Sequence, residues 1–334
     1  MRIIFKNVGQ GDSIILEWQD QKEEKKIGIV DCKKDSSFNP VLDHIKTSNT
    51  SSISFMILSH PHYDHFSGFR ELLDYCESNK ITIERFLLTC YQDVVYLKSA
   101  LKSPRSLNEL GKLLAKVKEF RWNKNIIKHL TYLDSDTKIL HLNDEITLET
   151  LSPSTDELEF FANKKFSASE ENQDSQPFGN WLSTILKLKG DDWLVLLTSD
   201  AEQSAIKRVG HEHENDKLAS NLILCQAPHH GSLKNHSSEF WRKLKKREPK
   251  VAFSVGKNSY NHPNKKVIKK FQDYSYEVFA TNRVGGLKNE SLDNDNIPDR
   301  LLMNIGIYDS QEQRNKVNSQ DLVFNITNGL AKPN

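Results

Sequence analysis

The sequence predicts an α/β protein in which two sheets pack face to face with helices on the outside. Three observations predict it. Short β-type runs open the chain, a block at helical spacing follows, and strands and helices then alternate. No internal repeat of about 20 to 50 residues points to a solenoid. The 334 residues, 37% of them hydrophobic and 9% aromatic, are enough to bury a sizeable core.

The elements are justified in order. Ile3 to Val8, Ser13 to Trp18, Ile27 to Val30 and Ile53 to Leu58 are rich in Ile, Val and Phe and too short for buried helices. Gly9-Gln10-Gly11-Asp12 is a turn signal, so the first two runs form a hairpin, and Gln19 to Lys26 is a solvated tip. Phe69, Leu72, Leu73 and Cys76 recur at helical spacing, as do Leu107, Leu110, Leu113, Leu114, Val117 and Phe120 behind Ser106 as cap. Residues from about 66 to 120 therefore read as a helical insert. Strand patterns return at Ile146 to Leu151, Leu182 to Leu188 and Trp193 to Leu197, with the acidic stretch Ser154 to Gln176 expected as a mobile loop. Strand Leu222 to Cys225, a helix near Ser238 to Lys246, strand Val251 to Val255, helix Lys265 to Gln272 and strand Tyr276 to Thr281 follow. The reading assigns 1–290 to one domain and 291–334 to a polar extension carrying a last strand at Leu322 to Ile326.

Composition excludes several classes. Forty-six Lys and Arg against 45 Asp and Glu leave a net charge of +1, so the whole-molecule field selects no partner. Apolar runs of about five residues fall far short of the roughly 20 that cross a bilayer. Polar residues interrupt the first apolar stretch, which reads as no signal peptide. Four scattered cysteines without a CxxC pair read as thiols of a reducing compartment. The expectation is a cytoplasmic protein without a membrane role.

The strongest chemical signal is Ser59-His60-Pro61-His62-Tyr63-Asp64-His65, directly after an apolar strand. His60 and His62, two apart on extended chain, project to one side and can share a metal ion. Asp64 and His65 follow as the chain turns and reach a second site nearby. Imidazole nitrogens with carboxylate oxygens suit a borderline metal such as zinc. Three more strand ends carry ligand-type side chains: Thr198-Ser199-Asp200, Pro228-His229-His230-Gly231-Ser232, and Asn261-His262-Pro263. A lone Asp after a strand is usually a turn or helix cap. Four such ends make a site.

GQGDS, HxHxDH after a strand, TSD, PHHGS and a later HP resemble the metallo-β-lactamase superfamily, and within it are most similar to the hydrolase domain of the competence protein ComEC, without that protein's membrane channel. Val30-Asp31, Leu151-Ser152-Pro153, Asn180 and Ser183 are further echoes, and the likeness spans about Met1 to Gly286. It implies an αββα four-layer sandwich with two divalent metal ions, zinc or manganese, at one sheet edge. His60 and His62 would hold the first metal, Asp64 and His65 the second. Asp200 would bridge them, with His230 or His229 and His262 completing the shells. The best-known members carry another ligating His between the first motif and the bridging Asp. Only His129, near a helix end, and His141, on a strand, fall there, and neither has a ligand context.

A metal pair can hold a bridging hydroxide at neutral pH by lowering water's pKa from about 16 toward 7. With no GxSxG motif and no reactive-looking Cys, hydrolysis is favoured over covalent catalysis, with Asp64, Asp200 and His262 as the catalytic set. From Lys234 to Lys270 the count is 12 Lys and Arg against two acids, a patch suited to a phosphodiester backbone or to two solvated helix faces. Ser232 and Asn258 are candidates to donate to a phosphate oxygen, and Lys257 to neutralise charge. Tyr63, Tyr260 and Trp241 would stack bases or, more commonly, pack. Gln10 and Asp12 line the cleft or make a plain turn. The favoured reading is a phosphodiesterase or nuclease acting on DNA. The alternatives are a small-molecule hydrolase (cyclic nucleotide, lactone, thioester or β-lactam) and a non-catalytic subunit of a multi-protein defence or DNA-processing assembly.

Overall fold

The computed structural model describes residues 1–35, 38–89, 101, 103–159, 161, 179–212, 218, 220–287 and 320–334. Its first sheet has the order β16-β15-β1-β2-β3-β5-β6-β4, with β7 also on β6. These strands are β1 (Arg2–Phe5), β2 (Ile14–Gln19), β3 (Lys25–Val30), β4 (Ser52–Ile53), β5 (Phe55–Leu58), β6 (Thr82–Leu88), β7 (Ile127–Tyr132), β15 (Leu322–Thr327) and β16 (Leu330–Pro333). The second sheet runs β14-β13-β12-β11-β10-β9-β8. It comprises β8 (Leu140–His141), β9 (Thr147–Ser152), β10 (Ile185–Lys189), β11 (Trp193–Leu197), β12 (Asn221–Gln226), β13 (Lys246–Phe253) and β14 (Glu277–Ala280).

The unbroken apolar runs of the sequence are strands buried on both faces. In β11 (WLVLL), Trp193, Val195 and Leu197 enter the core between the sheets. Leu194 and Leu196, pointing the other way, pack under the helices of the second sheet. In β1, Ile3 and Phe5 join the inter-sheet core while Ile4 faces the helices of the first sheet. At about 1.5–3 kcal/mol for each large side chain buried, these three apolar layers hold the sandwich together.

Helices α1 (Pro40–Thr47), α2 (Tyr63–Phe66), α3 (Phe69–Ser78) and α4 (Pro104–Trp122) belong to the first sheet's side. In α4 the stripe Leu110, Leu113, Leu114, Val117 and Phe120 is buried. Its cap is Ser103, whose side chain accepts from the Ser106 amide with Pro104 at the first helical position, so the cap lies three residues before the expected Ser106. Helices α5 (Gln203–Glu212), α6 (Ser238–Lys243) and α7 (Lys265–Asp273) cover the second sheet. The chain is thus an αββα sandwich.

Four sequence expectations are refined. The helical insert 66–120 contains strand β6, parallel to β5 and β7 and central to the sheet. Ile53 to Leu58 is two strands, because Ile53 pairs with β6 whereas Phe55 to Leu58 runs between β3 and β6. His129 lies in β7 rather than near a helix end. In the extension 291–334, the expected last strand, β15, pairs antiparallel with β1 and with β16, so these two strands belong to the first sheet. Residues 155–159 of the expected loop are helical, and most of the remainder lies outside the described residues, as does Cys90.

Strands β3 and β5 are parallel, as are β11, β12 and β13. Chemistry-bearing loops in such sheets leave the carboxyl ends of the strands, and here five of them do so at one edge of the sandwich.

Candidate metal centre

Each ligand-type side chain sits at or just beyond a strand end: Asp31 after β3, Ser59 to His65 after β5, Ser199 and Asp200 after β11, His229 and His230 after β12, and His262 beyond β13. Four of these residues hold left-handed backbone: Asp31 (φ 60°), Ser199 (φ 45°), His229 (φ 46°) and His230 (φ 55°). Such conformations cost about 1–2 kcal/mol per non-glycine residue, and the surrounding packing imposes them. At Gly11 (φ 136°) an added Cβ would lie 2.4 Å from the Asp64 carbonyl oxygen, so only glycine lets the β1–β2 turn press against the HxHxDH segment.

Asp200, 1% exposed, is the hinge of the site. Its Oδ2 lies 3.5 Å from His60 Nε2 and 3.4 Å from His229 Nε2. Its Oδ1 lies 3.6 Å from His65 Nε2 and 3.5 Å from His230 Nε2, which is also 3.7 Å from Asp64 Oδ2. One carboxylate therefore faces two ligand sets, one per oxygen. His60, His62 and Asp200 form one group able to hold a metal ion, and Asp12, His65, Asp200 and His230 form another, with each group's ligand atoms within 4.8 Å of one another.

The unused atoms match such a use. His60 Nε2, His65 Nε2, His230 Nε2, Asp200 Oδ1 and Asp12 Oδ1 are buried without a hydrogen-bond partner. Orphaned polar atoms at this density are costly unless a cation satisfies them. Nitrogen and oxygen donors in this mixture fit zinc or a similar divalent ion.

Neighbouring groups aim the imidazoles. Asp31 accepts from the Ser59 amide (2.8 Å), the Ser59 hydroxyl (2.6 Å) and His65 Nδ1 (2.7 Å), leaving His65 Nε2 to face Asp200. His230 Nδ1 donates to the Ser254 carbonyl at 2.8 Å. His229 Nδ1 lies between Asn235 Oδ1 (3.1 Å) and Asn180 Nδ2 (3.3 Å), and the Asn235 amide nitrogen reaches the Asp200 and Ala201 carbonyls. His60 Nδ1 is flanked by the Ser59 and Ser199 hydroxyls, each at 3.2 Å. In all four residues Nε2 is the nitrogen left for a ligand bond.

Electrostatics sort the groups. Burial pulls His60 down to about 3, leaving it neutral near pH 7. Burial would also lower His230, but Asp200 and Asp64 outweigh it and raise it to about 9. His65 is raised well above the usual imidazole range, the charges of Asp31 and Asp200 overcoming burial. Burial would raise Asp200, yet His229, His230 and His65 hold it well below the carboxylate range. The centre concentrates negative charge that protons share when no cation does.

The structure brings His60, His62, Asp64, His65, Asp200, His229 and His230 together, and the open choice between His229 and His230 becomes one histidine on each Asp200 oxygen. His262 stands further out, its ring 5.6 Å from that of His229 and outside both groups. His129 and His141 are exposed and take no part. Ser232 is buried beside His229. Lys257 lines a neighbouring cavity of about 640 Å³ together with Gln10, Lys33 and Asn282. Asn258 is not free to bind phosphate. Its amide nitrogen donates to Gln10 Oε1 (3.2 Å) and to the Gly256 (2.8 Å) and His262 (2.9 Å) carbonyls, and its oxygen accepts from the Tyr260 and His262 amides. Trp241 is wholly buried core.

Sequence reasoning missed three contributors. Asp12, which the sequence leaves open between a cleft position and a plain turn and does not mark as ligand-type, is buried inside the second group. Gln226 ties Asp12 Oδ2 (2.8 Å) to the Thr198 and Ser199 amides, and Asn235 orients His229. An acidic residue inside a glycine turn that faces a histidine motif was the available signal for Asp12. Gln226 and Asn235 had none.

No family model matches the sequence, and no curated protein matches it. Among solved structures the chain is similar to the metallo-β-lactamase fold protein YhfI from Bacillus subtilis, with 11% identity, TM-score 0.45, and 84% of this chain and 96% of that one covered. It is also similar to Zn(2+)-bound PqqB from Methylobacterium extorquens, with 8% identity, TM-score 0.43, and coverage of 83% and 97%. A long form RNase Z from yeast shows 13% identity and TM-score 0.40, with 79% of this chain and 38% of that one covered.

Proposed function

We propose that this chain is a metal-dependent phosphodiesterase acting on DNA. The observation that carries the reading is the Asp200 carboxylate, whose oxygens face two separate sets of imidazoles with unused Nε2 atoms. His60, His62 and His229 with Asp200 Oδ2 would hold one divalent ion, and Asp64, His65, His230 and Asp12 with Asp200 Oδ1 the other. A pair of such ions supplies Lewis acidity and a nucleophilic water at neutral pH.

The chain's own residues do the rest. Asp31, Ser254 and Asn235 hold their imidazoles with Nε2 inward. His262 is kept neutral near pH 7 because burial, with His229 next, pulls it down to about 4. At the outer side of His229 this neutral imidazole is placed to accept a proton, as a general base, rather than to donate one.

Substrate choice rests on the surroundings. The cavity beside the centre shares the Gly9–Asp12 turn with it and is lined by Lys6, Lys33 and Lys257 together with Asp35, Asp43 and Asp321, a polar, charge-balanced surface that suits a polar substrate rather than an apolar small molecule. The basic patch is thinner than its residue count. Arg247 pairs with Asp192 (2.7 Å), Lys243 with Glu239 (2.8 Å), Lys269 with Asp273 (3.0 Å), and buried Lys250 with Glu277 (3.4 Å). The resemblance to the ComEC hydrolase domain adds DNA as the polymer and rests on the motifs alone.

The test is cleavage of bis-(p-nitrophenyl) phosphate and of single- and double-stranded DNA with manganese or zinc, for wild type and Asp64→Ala. Loss of cleavage to background in the variant is expected. Unchanged cleavage refutes the assignment.

A further inference from the structure

Resting on the phosphodiesterase reading, we infer that Tyr260 is a stacking platform for an unpaired base, so that the substrate is a single strand of nucleic acid whose base lies beside the centre. Tyr260 is 74% exposed, the most exposed of the large hydrophobic side chains among the described residues, yet its loop is held by hydrogen bonds. Its ring lies nearly parallel to that of His262, at 23° and 5.9 Å between centroids. His262 in turn packs edge-on against His229 at 5.6 Å, and His229 faces Asp200. A ladder of three rings thus leads from the inner carboxylate to solvent, and its last member presents a bare aromatic face.

The loop beneath the ladder is pinned. Asn258 uses every polar atom of its amide on the loop and on Gln10, and Tyr260's own backbone amide donates to Asn258 Oδ1 at 3.0 Å. A Cβ at Gly256 would lie 2.3 Å from the Gln10 nitrogen, so this loop is clamped against the β1–β2 turn that carries Asp12. Isolated exposed aromatics are ordinary on protein surfaces. One whose ring runs nearly parallel to a ring of a charged centre while staying largely exposed is placed to receive a planar partner. Lys257, three residues earlier, is exposed, lines the polar cavity and makes no ion pair among the described residues. Cation and aromatic on one short loop are the pairing that binds single strands, the lysine tracking phosphate and the ring taking a base whatever its identity. A duplex keeps its bases stacked on one another and offers Tyr260 no free face.

The test is binding of a fluorescein-labelled, phosphorothioate-linked oligothymidylate to the full-length, metal-loaded protein, measured by anisotropy for wild type, Tyr260→Ala and Tyr260→Phe. An abasic strand of equal length is the control. Stacking is worth about 1–3 kcal/mol per base, so Tyr260→Ala is expected to weaken binding by roughly 5- to 150-fold while Tyr260→Phe binds as wild type. The abasic strand should bind wild type and Tyr260→Ala alike. Equal oligothymidylate affinity in wild type and Tyr260→Ala overturns the inference, and if bis-(p-nitrophenyl) phosphate is still hydrolysed the phosphodiesterase reading survives. Absence of both strand binding and diester hydrolysis in wild type overturns the two together.

Discussion

Asp31→Asn removes one charge and leaves the atoms almost in place. Asp31 sits in left-handed backbone (φ 60°), a conformation that asparagine tolerates as well as aspartate, so the turn survives where alanine would strain it. What changes is acceptor capacity. The carboxylate takes three donors, the Ser59 amide, the Ser59 hydroxyl and His65 Nδ1, whereas an amide has one oxygen and brings its own N–H groups against them. A hydrogen bond to a charged group is worth about 1.5–3 kcal/mol net. If that is lost from the His65 orientation, metal affinity on the Asp64–His65–His230 side falls roughly 10- to 100-fold, since each 1.4 kcal/mol is about tenfold. Competition titration against a zinc chelator should show one equivalent weakened by that factor and the other, on the His60–His62 side, nearly unchanged. Two equivalents held with wild-type affinity would refute the argument that Asp31 aims His65.

Two further outcomes test the scaffold. Glu17, only 6% exposed, is held down at about 2 from an ordinary 4.5, first by its hydrogen bond to His44 and also by Lys25. A depressed carboxyl stabilises the fold above its unfolded value and loses that contribution as pH falls through the folded one. Glu17→Gln should therefore lower stability by roughly 2 kcal/mol at pH 7, with the gap from wild type closing as pH drops from about 4.5 towards 2 in urea melts. Trp241→Ala should cost about 3–5 kcal/mol in the same melts, because the ring is fully buried against Phe240 and Phe271, and should leave oligothymidylate affinity intact.

Strand identity was legible wherever burial on both faces wrote an unbroken apolar run, as in Trp193–Leu197, and helix α3 was legible from its spacing. Strand β6, TIERFLL, was not, because its exposed Glu84 and Arg85 interrupt the apolar pattern between two strongly helical stretches. Its place is fixed by pairing with β5 and β7, which lie far from it in the chain's local pattern. The clustering of the histidines was legible because side chains of ligand type recur at successive strand ends. Which histidine faced which Asp200 oxygen was not, since two consecutive left-handed residues set the directions of His229 and His230. Nor was the duty of Asn258, because an amide in a loop reads the same whether it greets a ligand or its own backbone.

The pairing of β15 with β1 has a consequence for synthesis. Met1 and Ile326, 325 residues apart, exchange backbone hydrogen bonds, and Lys6 and Asn7 both engage Asp321. During translation β1 therefore keeps one flank bare until the residues between it and β15 have been made. Contacts so distant along the chain form late in folding. Until then the nascent protein carries an open strand next to the turn that delivers Asp12, a time window in which self-association, or a chaperone's grip on that flank, competes with completion of the active fold.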